Sequence, residues 1–225
     1  MGYSIATNIA QVFMMACSFV AAITGYFHRN RFYALRKFYF YPLLSLAQIT
    51  VFYFIEIFKV RLQTKNNVIV FTANLFLLAE FFLIYSFFLN TLKTKAIKIL
   101  LHAIQVIYSL AVAFIWLISS SIFKFSGELL IIQSFCILIP VLIYFYELFK
   151  WPTVNNLLTL PSFWISTGIV VYFACTLPLF LMKDFVFNKS GYLKEVDLYL
   201  INFVAYGIMF LLFIKAYLCP KRDTP

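Results

Sequence analysis

Seven stretches of about twenty residues run through this 225-residue chain almost uninterrupted by charge, at about 5–27, 38–58, 68–89, 97–118, 129–149, 161–182 and 196–218. A hydrocarbon core roughly 30 Å thick takes about 20 apolar residues to cross as a helix, so each stretch has the length of one span. Lipid offers no hydrogen-bonding partners, and a run that lies in it must pair its backbone groups internally, as a helix does. The expectation is an all-α polytopic membrane protein, one seven-transmembrane-helix bundle over residues 1–225 with no soluble domain. Composition closes the alternative: 64% of residues are hydrophobic and 12% charged, against the roughly 25–35% of charged residues that coat a soluble fold. The connectors are short, with the longest at 183–195, and none is rich enough in Gly or Ser to link domains.

The formal charge of +10 could signal nucleic acid. The basic residues sit in small clusters between the apolar runs, which is the pattern of loops that set membrane topology, so no nucleic-acid partner is expected. Placing the N-terminus outside puts eleven Lys and Arg on the inner side, from Arg29, Arg31, Arg36 and Lys37 through Lys93, Lys95, Lys98 and Lys150 to Lys215, Lys221 and Arg222. Seven remain outside, including Lys59, Arg61 and Lys65, whose loop runs against the rule. N-terminus outside and C-terminus inside is the favoured orientation. Tyr39, Tyr41, Trp151 and Trp164 fall near the inner ends of their helices and read as interfacial aromatics. The first run lacks a basic leader and a small-residue cleavage site and reads as a retained helix. Ala6 stands where a myristoylation signal needs Ser or Thr.

Residues three and four apart share a helix face, and a polar face should meet protein rather than lipid. Six runs show one: Asn8, Gln11, Met15, Ser18, Ala22 and Gly25; Ser45, Gln48, Phe52 and Glu56; His102, Gln105, Ser109, Ala113 and Trp116; Gln133, Cys136, Pro140, Tyr144 and Glu147; Trp164, Gly168, Tyr172 and Thr176; and Tyr199, Asn202 and Tyr206. In the third run, Glu80 sits near the bilayer centre, where a charge costs at least about 2.5 kcal/mol, so it needs a partner or a proton. If the third and fourth runs form an antiparallel hairpin, Gln105 reaches the depth of Glu80 and His102 lies about one turn further in, and the three could share a hydrogen-bonded cluster. That cluster has three readings: a bond pinning two helices, a ligand contact or proton-sensitive switch, and part of an ion path.

The outer half collects Asn8, Gln11, Phe52, Glu56, Ser109, Trp116, Gln133, Thr176, Tyr199, Asn202 and Tyr206 over a floor of Asn74 and Glu80. Aromatics mixed with a few polar groups make small-molecule sites, and they also make ordinary helix contacts. Glu56 and Glu147, near helix ends, read as surface carboxylates. Pro140 and Pro178 are internal prolines that can kink their helices. Lys215 can snorkel to the interface, which argues against a retinal-bearing lysine.

Catalytic signatures are absent: no H-E-x-x-H, no G-x-S-x-G, no carboxylates paired one turn apart and no Asp-rich diphosphate motif. His102 without a second ligand at metal spacing implies no metal, and Cys17, Cys136, Cys175 and Cys219 lack metal or redox spacing, so no cofactor is expected. The matched broken helices of an inverted-repeat transporter are not displayed either.

The stretch from Pro161 to Phe180, with Pro161, Phe163, Trp164, Ile165, Gly168, Tyr172 and Phe173 in a P-x-F-W-I-x-x-G-x-x-x-Y-F pattern, resembles small seven-helix inner-membrane proteins of Bacteroidetes bacteria. An intramembrane Glu80 among aromatics and a short basic tail after Cys219 are similar too. Some of those proteins look like stand-alone relatives of the seven-helix sensor regions of bacterial histidine kinases. The resemblance implies family positions at Glu80, Trp164, Gly168 and Tyr172, and a sensor's role. The leading expectation is a sensor or accessory subunit that binds a small ligand or lipid in the bundle and signals to a cytoplasmic partner such as a histidine kinase. The ligand-pocket or switch candidates are Glu80, His102, Gln105, Asn74, Trp116, Gln133, Trp164, Tyr172, Asn202 and Tyr206. The alternatives are an intramembrane lipid-modifying enzyme using Glu80 and His102, and an oligomeric ion or proton conduit.

Overall fold

The computed structural model describes residues 5–30, 35–57, 65–118, 127–151, 156–181 and 195–220. Each apolar run is helical within a few residues of its expected bounds. The elements are α1 (Ile5–His28), a single turn α2 (Leu35–Phe38), α3 (Phe40–Ile57), α4 (Lys65–Thr91), α5 (Lys95–Ile118), α6 (Gly127–Lys150), a 3-10 turn (Leu157–Thr159), α7 (Pro161–Leu181) and α8 (Glu195–Tyr217). No strand occurs among the described residues.

Among the described residues, six helices are long and apolar enough to cross a bilayer: α1, α4, α5, α6, α7 and α8. The 18-residue α3 is not one of them. Large apolar side chains cover the outside, with Leu117 80%, Phe27 76% and Ile99 70% exposed. A continuous apolar coat of that kind has no counterpart on a monomeric soluble protein. Together these features support a multi-pass membrane protein.

Ring contacts bring the turn that leads into α3 against the end of α4 (Phe38–Phe87) and the end of α6 against the start of α7 (Phe145–Phe163), as antiparallel neighbours do. Contacts close six of them into a ring in the order α1, α8, α7, α6, α4, α3, while α5 leans on α4 and α6 from outside. The densest wall is α1–α8–α7, built on Met209, Phe210, Phe213, Ala216 and Tyr217, all fully buried. Small residues allow that closeness: Ala10, Ala21, Ala22 and Gly25 face inward on α1, and Gly207 of α8 lies against the Phe13 ring. Opposite, α4 contributes a buried aromatic ladder of Phe81, Tyr85, Phe87 and Phe88.

Two inward faces differ from the expected ones. On α1 the buried set is Thr7, Ala10, Met14, Cys17 and Ala21, with Ser18 and Ala22 beside it, while Asn8 is exposed. On α5 the buried residues are Leu101, Tyr108 and Val112, while His102 is exposed. Each face turns by about one residue from its polar stripe, because small and aromatic side chains decide which side packs. On α6 Gln133, Pro140, Tyr144 and Glu147 are buried as read, with Cys136 half-buried.

Glu147 is not a surface carboxylate. It is 8% exposed, and its Oε2 and Oε1 accept the backbone N–H groups of Lys93 and Thr94 at 3.1 and 3.3 Å. Those amides lie in the turn that leads from α4 into α5, so a side chain of α6 caps the approach to a helix 53 residues earlier in the chain. Glu147→Ala should cost about 1–2 kcal/mol, the usual loss of an N-terminal cap. Hydrogen exchange at Lys93 and Thr94 should accelerate with it, and unchanged protection there would remove the capping role. The side chain of Glu56 and the loop from Lys59 to Arg61 lie outside the described residues.

Candidate functional site

Glu80 lies near the middle of α4, 3% exposed, inside the helix ring. Helices on either side supply its partners. Tyr41 of α3 donates its hydroxyl to Oε1 at 2.6 Å, and Gln133 of α6 donates Nε2–H to Oε2 at 3.0 Å. From these two the network spreads outward. Tyr108 of α5 donates to Gln133 Oε1 at 2.8 Å, Tyr41 and Tyr206 of α8 share a hydrogen bond at 3.2 Å, and Ser45 of α3 donates to the Tyr206 hydroxyl at 3.3 Å. One carboxylate thus joins α3, α4, α5, α6 and α8. A sixth helix joins through Tyr172 of α7, whose ring meets Tyr206 edge-on at 4.7 Å and whose hydroxyl donates to Asn202 Oδ1 at 3.2 Å.

The network has a direction. The Tyr108 hydroxyl fixes the Gln133 amide so that its NH2 faces Glu80, which makes Oε2 an acceptor. On the other arm the Tyr41 hydroxyl sits between two oxygens. With Glu80 ionised it donates to the carboxylate; a proton arriving on Oε1 would instead be donated to Tyr41, turning the Tyr41 hydrogen toward Tyr206. A change of protonation at Glu80 is therefore felt by α3 and α8, while α6 keeps its bond.

Beside the carboxylate opens a cleft of about 240 Å³, counting its mouth, with Glu80, Gln133, Ser134, Tyr172 and Thr176 as its polar lining and Leu77, Leu130, Phe173 and Phe180 as its apolar walls. Its interior has room for about one water-sized occupant, far short of the roughly 300–1,000 Å³ of drug-sized pockets. Leu130 is near the start of α6 and Phe180 near the end of α7, so the cleft extends from Glu80 toward the Ile5 end of the bundle.

Of the sequence candidates, Glu80, Gln133, Tyr172, Asn202 and Tyr206 meet in or beside this network, and Asn74 is buried on the same helix as Glu80. The cluster of Glu80 with His102 and Gln105 does not form. His102 is exposed and Gln105 half-buried, because α5 turns Tyr108 inward to pack against Phe81, ring centroids 4.0 Å apart. An acid-base pair of Glu80 with His102 thus has no geometry to work through. Trp164 sits at the opposite end, its indole donating to the Leu158 carbonyl at 2.8 Å. Trp116 is half-buried, and its indole N–H finds no acceptor among the described residues.

Sequence reasoning missed Tyr41 and Tyr108 as site residues. Tyr41 is fully buried rather than interfacial. Carrying the Ser45 and Gln48 face back one turn, by four residues, reaches it. Tyr108 carries no such signal, since it lies beside a polar stripe that does not face the core.

Among the described residues no group of three His, Cys, Asp or Glu side chains is placed to hold a metal ion. No protein-family model, curated protein or solved structure matches the chain.

Proposed function

We propose that the protein is a seven-span membrane sensor or accessory subunit of a bacterial inner membrane, N-terminus outside and C-terminus inside. In this reading a small ligand or ion enters the Glu80 cleft from the outer side and helix movement is read by a cytoplasmic partner such as a histidine kinase. The observation that carries it is the Glu80 hub, where one buried carboxylate both lines a cleft and bonds across the bundle. An occupant that displaces either bond has differential affinity for two helix arrangements, which a ligand-driven change requires.

The route to the other end runs along α4 and α6, which meet again where Glu147 holds the α4–α5 turn. That end presents Arg36, Lys37, Lys93 and Lys95 as exposed cations. Arg29 rests on the Tyr26 ring at 4.4 Å and Lys150 on Trp151 at 4.8 Å, as residues at an anionic inner leaflet would.

The reading predicts a partner whose binding depends on Glu80. Tagged wild-type chain and Glu80→Gln chain, each purified from native membranes, should retain a common stoichiometric partner with recoveries differing by about fivefold or more, the lower range of allosteric coupling. Recovery of this chain alone from both preparations overturns it.

A further inference from the structure

The hydroxyls around the Glu80 cleft have already given away their hydrogens. Thr176 Oγ1 donates to the Tyr172 carbonyl at 2.9 Å, Ser134 Oγ to the Leu130 carbonyl at 2.7 Å, and the Tyr172 hydroxyl to Asn202 Oδ1 at 3.2 Å. A hydroxyl has one hydrogen and two lone pairs, so what these three can still offer is lone pairs alone. Gln133 commits its carbonyl to Tyr108 and one N–H to Glu80. With the carboxylate as the charged member of the lining and the second Gln133 N–H as a remaining donor, the cleft is chiefly an acceptor surface contributed by α4, α6 and α7 and closed by apolar side chains.

No Lys, Arg or His among the described residues takes part in the Glu80 network. A carboxylate at this depth is costly unless a positive charge accompanies it. A single positive charge leaves the site neutral, whereas a divalent ion would leave a net charge in the bilayer and restore the penalty it came to relieve. Hard monovalent ions are bound by oxygen, and the lining provides carboxylate, hydroxyl and phenol oxygens without any thiolate or imidazole, which suits an alkali cation and not a transition metal.

We propose that the Glu80 cleft binds a monovalent cation of sodium size, held by the Glu80 carboxylate with Ser134, Thr176 and Tyr172 oxygens. The proposal rests on the reading of this cleft as the ligand site and names its ligand. It does not depend on the existence of a partner. Glu80 then answers to two competing occupants, sodium from the cleft side and hydrogen-bond donors from Tyr41 and Gln133 behind it.

The test is thermal unfolding of the full chain in neutral-lipid nanodiscs at pH 8, in sodium chloride against N-methyl-D-glucamine chloride at equal ionic strength. The midpoint should rise by about 4 °C per tenfold increase in sodium above the dissociation constant, and by less in potassium. Glu80→Gln should fold and show no sodium response. Thr176→Val, which keeps shape and loses one lining oxygen, should need about tenfold more sodium. Equal midpoints in the two salts, or a sodium response that survives Glu80→Gln, overturn the proposal. Stabilisation by acid alone, without sodium dependence, assigns the charge to a proton and overturns it too. If sodium has no effect yet partner recovery still depends on Glu80, the cation fails and the sensor stands; sodium binding by a chain that recovers no partner gives the reverse result.

Discussion

Replacing Glu80 with Ala should destabilise the folded bundle by about 2–4 kcal/mol, while Glu80→Gln should cost about 1 kcal/mol. The alanine leaves the Gln133 amide without its acceptor inside the ring and turns the Tyr41 hydroxyl onto its longer bond to Tyr206. An orphaned buried donor costs about 1–3 kcal/mol, and interhelical hydrogen bonds in membranes lie toward the lower end of such values. The vacated side-chain volume adds a cavity penalty. Glutamine fills the same space and still accepts from Tyr41. Its new NH2 faces the Gln133 NH2, so the Gln133 amide must flip and Tyr108 must become an acceptor, which the phenol allows at the cost of leaving its own hydrogen without the Gln133 oxygen. Equilibrium unfolding in micelles or bicelles measures both. Equal losses for the two substitutions, or none for Ala, would show that the carboxylate is not the tie between helices.

The second large effect is expected at Gly168, where Leu should cost about 3 kcal/mol and Ala about 1 kcal/mol. A Cβ there meets Phe213 Cε1 at 3.1 Å, the Met209 carbonyl oxygen at 3.2 Å and Leu212 Cβ at 3.4 Å. Two of those atoms are backbone or next to it, so α8 itself has to move. Tyr172 lies one turn along α7, and a wedge at Gly168 pulls it from Tyr206 and Asn202. Gly207→Ala is the informative contrast. Its Cβ would come within 2.4 Å of Phe13, a shorter distance, yet the obstacle is the far end of a ring that is 38% exposed and can swing outward. Its loss should be smaller than that of Gly168→Ala, and the opposite order would mean that the α1–α8 contact, not α7–α8, is the rigid one.

The contrast between these sites mirrors what could be read from residues alone. On α6 the polar stripe from Gln133 to Glu147 is also the buried stripe, so reading it for polarity located a wall of the site. On α5 the polar stripe of His102, Gln105 and Ser109 is not the buried one, and following it led to the wrong partner for Glu80. Water marks the outward side of a helix in a soluble fold, but lipid is as apolar as a core, so polarity is a weak guide to burial. Shape decides instead: Tyr108 against Phe81 on α5, and the small residues Ala10 and Ala21 against α8 on α1.

Sequence by itself determined that this chain forms long apolar helices, because the hydrogen bonds of a helix close within a few residues and the length of each run is set by the bilayer. It also determined that Glu80 must be compensated, since the cost of a charge in lipid is a property of depth. Tertiary structure alone decided how. Tyr41 and Gln133 stand 39 and 53 residues away along the chain, and their arrival at the two carboxylate oxygens depends on the rotation of each helix about its axis. That rotation follows from side-chain shapes fitting around the whole ring, which no local spacing encodes.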